Sequence, residues 1–179
     1  MGREARRTIT EPAAIGALAH PVRLELISYL MANGPATASQ CARAVGDTPS
    51  NCSYHLRVLA KVGLVAADES DDGRERPWRA LITGFDAPDD AVIASLQIQR
   101  DQRLVLEHLA RRERMPEAWR DADQYGTYTL RLSPDELRDL GARIDALIRP
   151  YLAPTRDDAP ADAALVHVDF HGFPHGENT

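Results

Sequence analysis

Apolar residues recur along this chain at two periods, and the change of period organises it. Val22, Leu26, Ile27 and Leu30 repeat at the spacing of one helical face. That segment opens at His20-Pro21, with proline at the favoured first helical position, and stops at Asn33-Gly34-Pro35. A shorter helix is predicted before it from Glu11 to Leu18, with Pro12 in its first turn. A third, alanine-rich helix is predicted from the N-cap Thr37 to Gly46. A fourth starts at the N-cap Thr48, has Pro49 in its first turn and runs to Val62, where Gly63 suits a left-handed cap. The period then shortens. Leu64 to Glu69 reads as a strand, Ser70-Asp71-Asp72-Gly73-Arg74 as a turn, and Glu75 to Leu81 as the returning strand of a hairpin.

Helices, a tight connection into the fourth of them, then a hairpin is the order of a winged helix-turn-helix. The segment Thr83 to Asp90 combines Gly, Pro and acidic residues and reads as a boundary. Beyond it, Asp86 is predicted to cap a long helix, with Pro88 in its first turn, that reaches Arg114. Its apolar residues, among them Val92, Ile93, Leu96 and Leu104, are broken by the polar run Gln97 to Arg103. Such a helix either lies along a partner chain in a symmetric interface or packs within its own domain. Gly126 to Leu132 alternates like a strand, with Tyr128, Leu130 and Leu132 on one side. Ser133-Pro134-Asp135-Glu136 combines N-cap, proline and capping-box glutamate, and opens a helix to Leu147. The stretch Ala153 to Asp162 reads as a loop and Ala164 to His171 as a closing strand, and the residues from Pro174 onward are expected to fray. The predicted class is α+β, mainly α. A winged helix-turn-helix domain (1–82) precedes a long helix and a small strand-helix-strand domain (83–179) for dimerisation and effector sensing.

Charge sharpens this division. The 179 residues hold 21 Lys+Arg and 27 Asp+Glu, a net of −6, which excludes a uniformly basic nucleic-acid coat. Residues 1–80 carry ten basic and nine acidic side chains, a net of +1, which leaves −7 for the rest. Any polyanion should therefore meet the N-terminal half. The bland reading is that the acidic surface only keeps the protein soluble. Apolar stretches are too short to span a bilayer, and the N-terminus does not read as a secretory signal. With only Cys41 and Cys52 there is no disulfide framework, so a cytoplasmic protein is expected.

The fourth helix carries most of the functional information. At 100° per residue, Ser53, Tyr54, Arg57 and Lys61 fall within about 60° of Ser50, whereas Cys52, Leu56 and Leu59 lie on the opposite side. A helix entering a DNA major groove needs this split. Its apolar side locks onto the helices behind it. Small polar residues near its start approach base edges, and Tyr, Arg and Lys supply contacts to bases and phosphates. Asn51 sits on the flank. The hairpin would add Arg74 and Arg76 over the adjacent minor groove or backbone. Any amphipathic surface helix also has a polar stripe, and Asp71, Asp72 and Glu75 offset the charge of the turn.

Three separated motifs occur in order. They are Leu18-Ala19-His20-Pro21-Val22-Arg23-Leu24-Glu25-Leu26-Ile27, then Ser50-Asn51-Cys52-Ser53-Tyr54-His55-Leu56-Arg57-Val58-Leu59 with Lys61-Val62-Gly63-Leu64-Val65, then Gly73-Arg74-Glu75-Arg76-Pro77-Trp78. Over residues 10–82 they resemble the arsenical-resistance-repressor (ArsR-type) winged-helix regulators. The resemblance implies a bacterial, homodimeric transcriptional regulator on an inverted-repeat operator. Carried over by position, it implies Ser50, Ser53, Tyr54 and Arg57 as DNA-facing residues, with Asn51 and Lys61 as weaker candidates. Thr37 would cap a helix whose N-terminus meets a phosphate. The metal chemistry of the family does not carry over. Metal-sensing members place a thiol pair on the third helix, but Ala38-Ser39-Gln40-Cys41-Ala42-Arg43-Ala44-Val45 holds one thiol, too few for a soft-metal site. Cys41 and Cys52 are instead expected as small core residues.

Alternation also puts His167, Asp169 and His171 on one side of the last predicted strand, with His175 following. They are the candidate metal ligands, and the plainer reading is the polar side of a half-buried strand. Trp119, Tyr125 and Tyr128 either line a pocket for an unidentified small-molecule effector or form core. No Gly-rich phosphate loop or nucleophile–base pair points to an enzyme, and no cofactor is implied. The expected function is a sequence-specific DNA-binding transcriptional regulator, read as a repressor, with double-stranded DNA and a second copy as partners. The alternative is a winged-helix protein-interaction or small-ligand module without DNA binding.

Overall fold

Helix-capping chemistry sets most of the observed boundaries. The structure, a computed structural model, describes residues 6–68, 76–86, 90–153, 156 and 158–174. The elements are β1 (Arg7–Thr8), α1 (Pro12–Leu18), α2 (Pro21–Asn33), α3 (Ala38–Val45), α4 (Pro49–Lys61), β2 (Val65–Ala67), β3 (Trp78–Ala80), β4 (Phe85–Asp86), α5 (Ala91–Arg111), α6 (Glu117–Ala122) and α7 (Pro134–Ile148). Short 3-10 turns follow α5 at Arg112–Arg114 and α7 at Arg149–Tyr151. The chain divides into two units, Met1–Gln99 with Leu152–Leu165, and Arg100–Tyr151 with Val166–Thr179. Among the described residues no helix is long and apolar enough to cross a membrane.

In the first unit, proline stands in the first turn of α1, α2 and α4, where its missing N–H is not needed. Thr37 caps α3 through a full capping box with Gln40, and Thr48 caps α4. Gly46 ends α3 at φ 70°, a left-handed conformation that costs glycine little, so the chain can turn directly into α4. The Arg23 guanidinium donates to the carbonyls of Gly16 (2.9 Å) and Ala17 at the end of α1, which fixes the angle between α1 and α2.

These helices close over one core. Leu26, Ile27 and Leu30 of α2, Cys41 of α3, and Cys52, Leu56 and Leu59 of α4 are all fully buried. Both cysteines thus sit among the core side chains, as expected. At about 1.5–3 kcal/mol per fully buried large aliphatic side chain, this cluster dominates the stability of the unit. β2 and β3 pair antiparallel, with Val65 opposite Ala80 and Ala67 opposite Trp78, and Ala36 bridges to Trp78 on the far side. They form the base of the predicted hairpin. Its turn, Ser70 to Arg74, lies outside the described residues.

The structure departs from the sequence expectations in four places. Phe85–Asp86, within the expected boundary, is a strand parallel to Arg7–Thr8, with Arg6 Nε donating to Asp86 Oδ2 at 2.7 Å. Asp86 therefore does not cap the long helix. Asp90 does, accepting from the Ile93 N–H at 2.8 Å, and Pro88 lies outside the described residues. Glu117–Ala122 is a short helix with no strong signal in the pattern. Finally, neither 126–132 nor 164–171 belongs to a ladder, so the predicted strand-helix-strand unit is present only as its capped helix α7. Alternation reports which side of a segment is apolar. It does not supply the neighbouring strand.

Candidate nucleic-acid interface

The interface is built from α4 outward. Its buried side, Cys52, His55, Leu56 and Leu59, anchors the helix in the core. The opposite side exposes Ser50, Asn51, Tyr54, Arg57 and Lys61, with Ser53 half-buried between them. Tyr54 is 58% exposed, unusual for so large a ring, and its edge rests on the His55 ring at 5.3 Å. Arg57 Nη2 donates to Ser53 Oγ at 3.0 Å, which ties the guanidinium to the stripe one turn earlier. Lys61 lies in the last turn, where its charge also suits the helix dipole. The helix thus presents hydroxyl groups first, then an aromatic ring, then two cations.

Thr37 is half-buried at the start of α3, its Oγ1 accepting from the Gln40 N–H at 3.2 Å. Its hydroxyl hydrogen is not used in that cap. Arg76 is exposed just before β3, and Arg74 lies outside the described residues. Arg79, which pattern analysis did not single out, bonds Asp68 across the base of the hairpin at 2.6 Å.

Two features escaped sequence reasoning. The first is Asp47, directly before the cap of α4. Its carboxylate accepts from the Thr48 N–H and from Asn51 Nδ2, each at 2.6 Å. These bonds, the backbone one first, hold its carboxyl below the ordinary range. The Asn51 amide is therefore engaged within the protein. The second is a histidine pair beneath the interface. The rings of His20 and His55 lie 4.6 Å apart, and the Nδ1 atom of each is buried without a hydrogen-bond partner among the described residues. Burial pushes both pKa values down. The charge of Arg23 adds to this for His20, as do His20 and then Arg23 for His55. Both rings are thus neutral near pH 7 and pack as apolar plates under Tyr54.

In the second unit, His167, Asp169 and His171 gather at Asp101 of α5. His167 Nε2 lies 3.3 Å from Asp101 Oδ1, and His171 Nε2 lies 3.5 Å from Asp169 Oδ2. Burial pushes the Asp101 carboxyl up, but the hydrogen bond and charge of His167, with Arg100 and His171, outweigh it and hold it low. The arrangement is an imidazole–carboxylate network. Among the described residues no group of three or more His, Cys, Asp or Glu is arranged to hold a metal ion. His175 lies outside the described residues. A second charged knot joins His108 and Arg112 to Asp123 at 3.2 and 2.8 Å.

The helices, the left-handed turn between α3 and α4 and the paired strands after α4 define a winged helix-turn-helix domain. Residues 18–66 match the model of a helix-turn-helix domain family. Over 58 residues the chain is 40% identical to the HTH-type transcriptional regulator NmtR of Mycobacterium tuberculosis. That match takes in 32% of this chain and 48% of NmtR, so the chain spans about half the length of that curated relative. Among solved structures, the homodimeric winged helix-turn-helix DNA-binding domain of Mb0332 from Mycobacterium bovis, a possible ArsR-family transcriptional regulator, is 25% identical. It aligns over 56% of this chain and 82% of its own with a TM-score of 0.34. Rv1404 from Mycobacterium tuberculosis is 16% identical over 75% of this chain and 81% of its own, also with a TM-score of 0.34. Residues 18–66 thus form a helix-turn-helix domain, the fold the sequence motifs implied.

Proposed function

We propose that this protein is a sequence-specific DNA-binding transcriptional regulator, a repressor that binds an inverted-repeat operator as a homodimer. Residues 1–82 supply the DNA-binding domain, and residues 83–179 supply dimerisation and room for a small-molecule effector. The observation that carries the reading is the outward stripe of α4: exposed Ser50, Tyr54, Arg57 and Lys61 backed by fully buried Cys52, Leu56 and Leu59. Ser50 and Ser53 are short enough to let the helix backbone approach base edges. Tyr54 reaches a base or a phosphate, and Arg57 and Lys61 neutralise phosphates or read guanine. Thr37 supports a phosphate contact at the start of α3, and exposed Arg76 extends the surface just before β3. The net +1 of residues 1–80 is small, so local placement of cations rather than bulk charge supplies the attraction. The alternative, a winged-helix interaction module without DNA binding, is tested by the same experiment.

That experiment is capture of fragmented genomic DNA by the purified protein, followed by sequencing of the bound fragments. Enrichment of a two-fold-related motif with half-sites about one duplex turn apart is expected. Recovery of fragments with no shared motif at physiological salt would overturn the reading in favour of the alternative.

A further inference from the structure

Asp47 stands where an acidic side chain opposes a polyanion. It directly precedes the N-cap of α4, the end of the helix that approaches base edges, and a carboxylate there repels phosphates. Helix capping does not require it. Thr48 already caps α4, its Oγ1 accepting from the Asn51 N–H at 3.3 Å. The carboxylate is nevertheless held firmly. Gly46 makes the left-handed turn before it, and the Asp47 N–H donates to the Ala42 carbonyl at 3.0 Å. Asp47 Oδ1 then accepts from the Thr48 N–H and Oδ2 from Asn51 Nδ2, each at 2.6 Å.

A bond this short to a carboxylate is of the strong, charge-assisted kind. An ionised carboxylate only accepts, so the Asn51 amide must face it with its nitrogen and turn its carbonyl away. One amide hydrogen is used. The carbonyl Oδ1 and the second amide hydrogen remain, on an exposed residue in the first turn of α4. An acceptor beside a donor has one complement among the base edges of the major groove. Adenine offers its N6–H beside N7, whereas guanine offers two acceptors, cytosine a donor, and thymine an acceptor beside a methyl group. An untethered carboxamide presents either end outward and so distinguishes bases less.

We propose that Asp47 is a positioning residue and Asn51 a specificity-determining one: Asp47 fixes the Asn51 amide so that its free acceptor and donor read an adenine in the major groove beside the start of α4. Arg57 and Lys61 then supply attraction, and the Asp47–Asn51 pair supplies a choice of base. The proposal rests on the DNA-binding reading above and adds the base that is read.

The test uses the full-length protein and a duplex bearing the motif enriched by genomic capture. Affinity is measured by anisotropy for every single-base-pair variant of one half-site. The wild type should lose about tenfold or more when one particular A·T pair is replaced. It should lose about threefold or more when the adenine of that pair is 7-deazaadenine, which lacks N7, a readout that stands if a variant fails to fold. Asn51→Ala and Asp47→Ala should each cut the penalty at that pair to about twofold or less and leave the penalties at other pairs in place. Asp47→Asn keeps an acceptor for Asn51 Nδ2, and should retain more of the penalty than Asp47→Ala. Thr48→Ala removes only the cap, and should lower affinity evenly across the duplexes. In the free protein, the two side-chain amide proton resonances of Asn51 should be widely split by the bond to the carboxylate and should draw together in Asp47→Ala. Base preferences unchanged in Asn51→Ala or Asp47→Ala, an even loss in Asp47→Ala like that of Thr48→Ala, 7-deazaadenine without a penalty, or an Asn51 amide unmoved by Asp47→Ala would overturn this inference while the DNA reading stands. A protein that enriches no motif overturns the DNA reading, and this inference with it.

Discussion

The two units use the same kinds of side chain to opposite ends. In the first, α2, α3 and α4 each direct an apolar face inward, and Leu26, Ile27, Leu30, Leu56 and Leu59 reach complete burial. In the second, α7 is as well capped as any helix of the first, through the Ser133 and Glu136 capping box, yet buries nothing among its described residues. Capping and propensity therefore define a helix locally, but only a facing surface makes it part of a core. The first unit supplies its own facing surfaces, so the polar stripe on α4 stays exposed.

The largest expected effect separates the units by stability. Leu56→Ala should cost the first unit about 2–5 kcal/mol in denaturant unfolding, the loss of a fully buried side chain plus a cavity. Leu147→Ala should leave the midpoint of the first unit unchanged. Equal effects on that midpoint would break the comparison. Next comes the interface itself. Arg57→Ala should weaken binding to a captured DNA fragment by about tenfold or more and lower the salt slope by about one, measured by anisotropy titration at several salt concentrations. Tyr54→Ala should alter preference among fragments more than the salt slope. A change in fold would show in circular dichroism, and none is expected because both side chains are exposed.

The histidine pair gives the first unit a pH response. His20 and His55 have folded pKa values below the unfolded value near 6.5, so the unfolded chain binds protons that the folded one refuses. Their contribution is present above about pH 6.5 and is lost as the pH falls through the depressed folded values. Urea unfolding of the first unit between pH 7 and 5 should show stability declining, and His55→Gln should flatten that decline. The smallest effect is expected at the caps. Thr37→Ala should destabilise α3 by about 1 kcal/mol, and Ser133→Ala should do the same for α7. Thermal unfolding followed by hydrogen exchange would assign each loss to its own unit.

How much was legible in the sequence follows the same contrast. The boundaries of α2, α3, α4 and α7 are punctuated by proline, Ser/Thr caps and glycine, chemistry that acts within a few residues of itself. The pairing of Arg7–Thr8 with Phe85–Asp86 was not legible, because two-residue strands have no period and the partners are far apart in the chain. The pattern assigned the cap of α5 to Asp86, and local spacing did not separate it from Asp90 four residues on. The Arg6 contact and the strand claim Asp86 and leave Asp90 for the helix. The polar stripe of α4 was readable from helical periodicity alone, whereas the Asp47 carboxylate that occupies Asn51 was not, since nothing in the spacing says which way it turns. Asp101 sat unnoticed in a polar run until folding brought His167 and His171 to it.

The central claim is that the outward face of α4 meets DNA. Backbone and side-chain chemical shifts of the protein, recorded as a captured DNA fragment is titrated in, test it residue by residue. The largest changes are expected at Ser50, Ser53, Tyr54, Arg57 and Lys61, with smaller ones at Thr37 and Arg76. Saturating fragment that leaves α4 unshifted while signals of the second unit move would contradict the account.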